Sequence, residues 1–158
     1  MDGMKDIIRD FIKELGGNYP GIREIWLFGS RANNDAIRPD SDWDFIAFAN
    51  ESTHSLIQND TNLQKKTLDL SIDLLVEKER GALRSVWGTS KSLRLKEDLR
   101  WTIISNTTAK YWAAKLVEKQ STEQPWGDKW QEYFAQHGAD TSSEDVSTWK
   151  YAIKVWPD

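Results

Sequence analysis

Cysteine is absent from the 158 residues, which excludes disulfides, zinc–thiolate sites and a cysteine nucleophile, and makes a reducing cytoplasm the expected setting. Histidine is almost absent. His54 and His137 stand alone, so a histidine metal cluster is not expected. No run of about 18 apolar residues occurs, so no membrane-spanning helix is expected. The opening segment MDGMKDIIRD is charged and helical in pattern, and it lacks the apolar region of a signal peptide.

What is present suits one globular domain of ordinary size with an appendage: 39% of the residues are hydrophobic and 29% charged, on a chain long enough to bury a core. The net charge of −4 is unevenly spread. Residues 1–76 carry 8 basic and 13 acidic side chains, residues 77–119 carry 10 and 5, and residues 120–158 carry 3 and 7. A basic middle can meet phosphates or an acidic partner, or it can be a solvated face. Nine tryptophans is a high count, and they are expected mainly in the core. Tryptophan also anchors interfaces, which leaves a homo-oligomer or a partner surface open.

Along the chain, MKDIIRDFIKEL has apolar residues at helical spacing, and GGNYPG reads as its stop. IREIWLF reads as a buried strand stopped by Gly29, and DWDFIAFA as a second strand. ESTHSLIQNDTNLQKK is weakly helical, and KTLDLSIDLLV alternates as a third strand. From Glu77 onward the pattern turns helical, through EKERGALRSVW and KEDLRWTIISNTTAKYWAAKLVEK, with a further short helix in WGDKWQEYFAQHG. The expected architecture is therefore a mixed α/β sheet with flanking helices over residues 1–80, and a mainly helical region over 81–158 packed on it.

The chemistry concentrates in WLFGSRANNDAIRPDSDWDFIAF, where three aspartates, Asp40, Asp42 and Asp44, fall between apolar segments. On a strand Asp42 and Asp44 point to one side, and Trp43 and Phe45 to the other. In the third strand Leu68, Leu70, Ile72, Leu74 and Val76 form an apolar face opposite Asp69, Ser71 and Asp73. If the two strands are neighbours, carboxylates from both converge. Close carboxylates repel, and a divalent cation removes the conflict: Mg²⁺ uses one or two protein carboxylates together with substrate phosphates. Upstream, a buried strand runs into Gly29 and Ser30. Glycine tolerates positive φ and lets backbone approach a ligand, the amides at a helix start suit a phosphate, and Ser30 adds a hydroxyl. Arg31 and Arg38 add positive charge in this segment, as ligands or as surface residues.

The combination of a hydrophobic strand, Gly-Ser, Asp-x-Asp and a later lone Asp between apolar residues resembles the DNA polymerase beta-like nucleotidyltransferase superfamily. GSRANNDAIRPDSDWDF is most similar to the minimal nucleotidyltransferases, including the antitoxin-type members that pair with HEPN-domain ribonucleases. The resemblance spans Ile25 to Val76. It implies that Gly29, Ser30 and Arg31 bind the nucleotide, that Asp42 and Asp44 bind two Mg²⁺ ions (Mn²⁺ substituting), and that Asp73 is the third metal-binding carboxylate and assists the attacking hydroxyl. The implied reaction moves a nucleoside monophosphate from an NTP, ATP first among them, to a hydroxyl of a protein or RNA. Many small relatives carry a glycine shortly after Gly-Ser-Arg, where this chain reads ANND, so the loop is expected to differ in shape.

Other readings of the same residues compete. Asp40, Asp42, Asp44 and Glu51 fall at calcium-loop positions, but the glycine such a loop needs is replaced by Phe45. An exposed turn after RPDS would explain Asp42 and Asp44 without explaining Gly29-Ser30 or Asp73. Asp69 competes with Asp73, and the more apolar flanks of SIDLLV favour Asp73. Ser30 also suits a helix N-cap. A partner-binding module that keeps the fold without catalysis, and a small-molecule (antibiotic) nucleotidyltransferase, remain as rival functions.

Overall fold

The structure is a computed structural model and describes residues 4–33, 42–87, 92–113 and 149–157. Helix α1, Asp6–Asn18, buries Ile8, Phe11, Ile12 and Leu15, the stripe that its spacing predicts. It does not stop at Gly16-Gly17. Gly16 is helical and buried, and a β-carbon there would fall inside the indole of Trp156, so glycine lets that ring lie directly on the helix. The helix ends at Asn18, and the turn comes at Pro20 and Gly21, within the GGNYPG segment expected to stop it.

Strand β1, Ile22–Phe28, is followed by the four-residue helix α2, Ser30–Asn33, and by β2, Trp43–Ala49. Helices α3, Thr53–Gln58, and α4, Thr61–Leu70, lead to β3, Ile72–Glu79. Then come β4, Ala82–Ser85; β5, Ser92–Arg94; β6, Thr102–Ile103; β7, Thr108–Trp112; and β8, Trp149–Trp156. All eight join one sheet in the order β5-β4-β3-β2-β1-β8-β7-β6. β2 and β3 are parallel, and α3 with α4 forms the crossover that a parallel pair requires. The neighbouring pairs around them are antiparallel.

The sheet separates two cores. On one face Leu27, Trp43, Phe45, Leu74 and Val76 pack with α1 and with Ile57 and Leu63 of α3 and α4. On the other, Trp26, Phe28, Ile46, Phe48 and Leu75 pack with Leu93 from β5 and with Ala109 and Tyr111 from β7. Residues from both flanks meet here because the sheet curls over the 95–101 segment. Trp101 N–H donates to Leu95 O at 3.0 Å, and Trp112 N–H donates to Leu99 O at 2.6 Å. Away from the Gly29 end, the buried Glu77 ties three strands together. It accepts from Arg23 Nη2 at 2.7 Å, Ala49 N at 3.1 Å and Gly81 N at 2.9 Å.

The mixed α/β sheet with flanking helices is as expected, and two expectations are corrected. The third strand starts at Ile72 rather than at Lys66 or Thr67. Leu68, Asp69 and Leu70 end α4, which is N-capped by Asp60 accepting from Leu63 N at 3.0 Å and closed by Ser71 in the left-handed region at φ 55°. Local alternation in TLDLSIDLL suits a strand, but Thr67 and Leu63 face the core at helical spacing. The helical pattern from Glu77 onward is also overturned in its described parts. GALRS is the return arm of a hairpin with β3, WTIISNTTAKYW forms the β6–β7 hairpin, and WKYAIKVW is the long β8. Because β8 sits beside β1, the sheet runs across the 80/81 boundary drawn from the sequence. WGDKWQEYFAQHG, His137, Arg38 and Asp40 lie outside the described residues.

Candidate active site

At one end of the sheet β1 stops and β2 and β3 begin. Asp44 pairs with Phe28 of β1 on one side and with Asp73 of β3 on the other. In-register residues on neighbouring strands share a face, and the strands lie about 4.8 Å apart. Asp44 and Asp73 therefore stand side by side, on the face that further along carries Ile46 and Leu75. Both are half-buried. Asp42 immediately precedes β2 and is exposed; along an extended chain it stands roughly 6.6 Å from Asp44. Asp69 is exposed on α4 and lines a different groove together with Tyr19 and Lys66. With a strand running from Trp43 to Ala49, Asp44 and Glu51 do not belong to a calcium loop.

The loop from β1 closes this end. Gly29 has φ 76°, in the region that favours glycine, and its Cα lies against Asp44: a β-carbon there would run into the Asp44 carboxylate. Ser30 opens α2 beside it, half-buried. Arg31 lies with its guanidinium 4.1 Å from the centre of the Trp43 ring. Trp43 belongs to the opposite core from Ile46 and Leu75, so this stacking holds Arg31 toward the α1 side of the sheet.

Two residues at this end were not marked by sequence reasoning. Tyr111 of β7 places its hydroxyl 3.0 Å from Gly29 N and accepts its hydrogen. Asn33 donates through Nδ2 to Gly29 O at 2.8 Å and to Tyr151 O at 3.0 Å, and its Oδ1 accepts from Tyr151 N at 2.7 Å. The one signal for Asn33 was the departure from the usual glycine in ANND. Tyr111 offered none, because its partner lies 82 residues away.

Carboxylate oxygens are the donors that Mg²⁺ prefers, and an in-register pair meets its usual demand for one or two carboxylates beside substrate phosphates. Among the described residues no group of three His, Cys, Asp or Glu is close enough to hold a metal ion unaided. The residues therefore fit a metal shared with a nucleotide, with Asp44 and Asp73 as the protein's contribution and Asp42 at the rim.

A sheet with helices on one side and a Gly-Ser turn set against paired aspartates defines a nucleotidyltransferase-type α/β protein. The polymerase beta nucleotidyltransferase family matches residues 10–93, just over half of the chain, and the chain belongs to that family. Among solved structures it is similar to a Sulfolobus solfataricus protein assigned as a nucleotidyltransferase, at 20% identity over 56% of this chain and 84% of that one, with a TM-score of 0.30. It is also similar to a toxin–antitoxin structure with AMP-PNP, at 18% identity over 83% of this chain and 98% of that one, with a TM-score of 0.33. No curated protein matches it. Among the described residues no helix is long and apolar enough to cross a membrane.

Proposed function

We propose that the protein transfers a nucleoside monophosphate from an NTP, ATP first among them, to a hydroxyl of a protein or RNA, in a cytoplasmic toxin–antitoxin or defence setting. The observation that carries the reading is the in-register pair Asp44 and Asp73 beside the positive-φ Gly29. In the reaction the acceptor oxygen bonds to the α-phosphorus, the bond from that phosphorus to the bridging oxygen breaks, and pyrophosphate leaves. Asp73, beside Asp44, takes the acceptor's proton. Gly29, by shaping the turn, and Ser30, by its hydroxyl, hold the triphosphate. Two Mg²⁺ ions, or Mn²⁺, would be held by Asp44 and Asp73, with Asp42 at the rim, together with the nucleotide's phosphates, and would supply charge stabilisation at the attacking and leaving oxygens. Arg31, stacked on Trp43, would bind the nucleotide beside Gly29 and Ser30. A HEPN-type ribonuclease partner is what the motif resemblance supports, and a homo-oligomer remains open.

A second reading has its own observation. Because no three metal-ligating side chains gather among the described residues, the fold also suits a non-catalytic module that neutralises a partner by contact. Incubation with each of the four NTPs, labelled at the α-phosphate, with Mg²⁺ or Mn²⁺ and host lysate, tests both. Label on protein or RNA, lost in Asp44→Asn, supports the proposed transfer. Label on a small molecule alone would point to an antibiotic-type transferase, and no label with any NTP would favour the binding module.

A further inference from the structure

The nucleotide-site residues named so far all come from positions 29 to 73, yet the turn that carries two of them is held by strands beyond the matched family region. The Gly29 peptide is tied on both sides. Its N–H donates to the Tyr111 hydroxyl at 3.0 Å, and its carbonyl accepts from Asn33 Nδ2 at 2.8 Å. Asn33 exchanges two further bonds with the Tyr151 backbone, at 2.7 and 3.0 Å, as a paired strand residue would. The side-chain amide thus splices α2 onto β8.

Tyr111 is itself fixed. It is 2% exposed, its ring stacks on Trp101 at 6.4 Å and 19°, and it meets Phe28 edge-on at 6.1 Å and 83°. Phe28 is the residue before Gly29 and the register partner of Asp44. A phenol clamped this way holds the Gly29 amide in one orientation. It also commits that N–H to the protein, so Gly29 contributes the shape of the turn rather than a bond to phosphate.

We infer that Tyr111 and Asn33 are positioning residues of the triphosphate turn, and that β7 and β8 thereby complete the nucleotide site. The inference rests on the nucleotide reading above. It requires the loss of one hydroxyl to weaken nucleotide binding without disturbing the fold.

The test uses the full chain and the variants Tyr111→Phe, which keeps the ring, and Asn33→Asp, which keeps the acceptor for Tyr151 N–H and loses the donor to Gly29 O and to Tyr151 O. Three quantities are measured: thermal melting, hydrogen exchange of the Gly29 amide by NMR, and affinity for Mg²⁺ with ATP, CTP, GTP or UTP. For Tyr111→Phe the expected result is near-parental melting, faster Gly29 exchange and an NTP affinity lower by roughly 5- to 10-fold, the scale of one hydrogen bond. Asn33→Asp should weaken NTP binding in the same direction. If the parent binds an NTP and both variants bind it equally well, the positioning role is overturned and the nucleotide reading stands. If the parent binds none of the four, the nucleotide reading falls and takes this inference with it. Should Tyr111→Phe fail to fold, Asn33→Asp decides alone: parental affinity overturns the role, and weakened affinity with a parental melt supports it.

Discussion

Gly29→Ala and Gly81→Ala demand the same of the backbone and different things of its surroundings. The two glycines have φ of 76° and 77°. An alanine in that region costs about 1–2 kcal/mol at either position. Among the described residues nothing lies within 4 Å of a β-carbon on Gly81, whereas one on Gly29 would run into the Asp44 carboxylate. To make room, Asp44 must leave its rotamer, at about 0.5–1.5 kcal/mol, or the turn must shift and strain the bond to Tyr111, at about 1 kcal/mol. Gly81→Ala should therefore lose about 1–2 kcal/mol and Gly29→Ala about 1.5–3.5 kcal/mol. At about 2–4 °C per kcal/mol for a chain of this size, calorimetry should place the two melts several degrees apart. Nucleotide binding separates them further: Gly81→Ala should bind like the parent, and Gly29→Ala should be strongly weakened because the displaced carboxylate is the one paired with Asp73. Equal melting points, or parental nucleotide affinity in Gly29→Ala, would refute the close approach of this turn to Asp44.

Asp73→Asn should lose most of its transfer rate and keep most of its Mg²⁺–NTP affinity, while Asp69→Asn, on α4, should remain active; a dead Asp69→Asn in the transfer assay would contradict the register of β3. His54 is buried with neither ring nitrogen in hydrogen-bond geometry among the described residues; burial first, then the charge of Lys78 and, less, that of Arg84 hold its pKa below 6.5, against an opposite pull from the Ser85 backbone. The unfolded chain then binds a proton that the folded one refuses, so stability is full above about pH 6.5 and falls as pH drops toward the lowered folded value; urea melts at pH 7 and pH 5 should show a loss that His54→Leu lacks. Glu77→Ala removes three accepted bonds at once, one of them from Arg23, and should cost about 2–4 kcal/mol by denaturant titration while leaving Gly29 and Asp44 in place; a loss below about 0.5 kcal/mol would mean that water replaces the carboxylate.

Much of this site is written in short stretches of chain. IREIWLF followed by Gly29-Ser30 specifies a buried strand that must turn abruptly, and the turn has the positive φ that a glycine admits. Asp-x-Asp inside an apolar run specifies two carboxylates on one side of a strand, because alternation is a local property of extended backbone. The apolar flanks of Asp73 were enough to prefer it over Asp69. What local pattern could not decide was where the strand began. TLDLSIDLL alternates throughout, and the break at Ser71 comes from the Asp60 cap and from Leu63 and Thr67 packing at helical spacing, which only the assembled core selects. The second half was misread for a related reason. Two- to five-residue strands such as Thr102–Ile103 and Thr108–Trp112 are too short to show a period; β7 is held by its pairing with β8, some forty residues further on, and β6 by its pairing with β7. The clamp on Gly29 lies furthest from local pattern. A tyrosine 82 residues away and an asparagine reaching a backbone 118 residues away come together only because β7 and β8 extend the sheet beyond β1, so the shape of the Gly29 turn is a property of the fold, while the carboxylate beside it is a property of the strand.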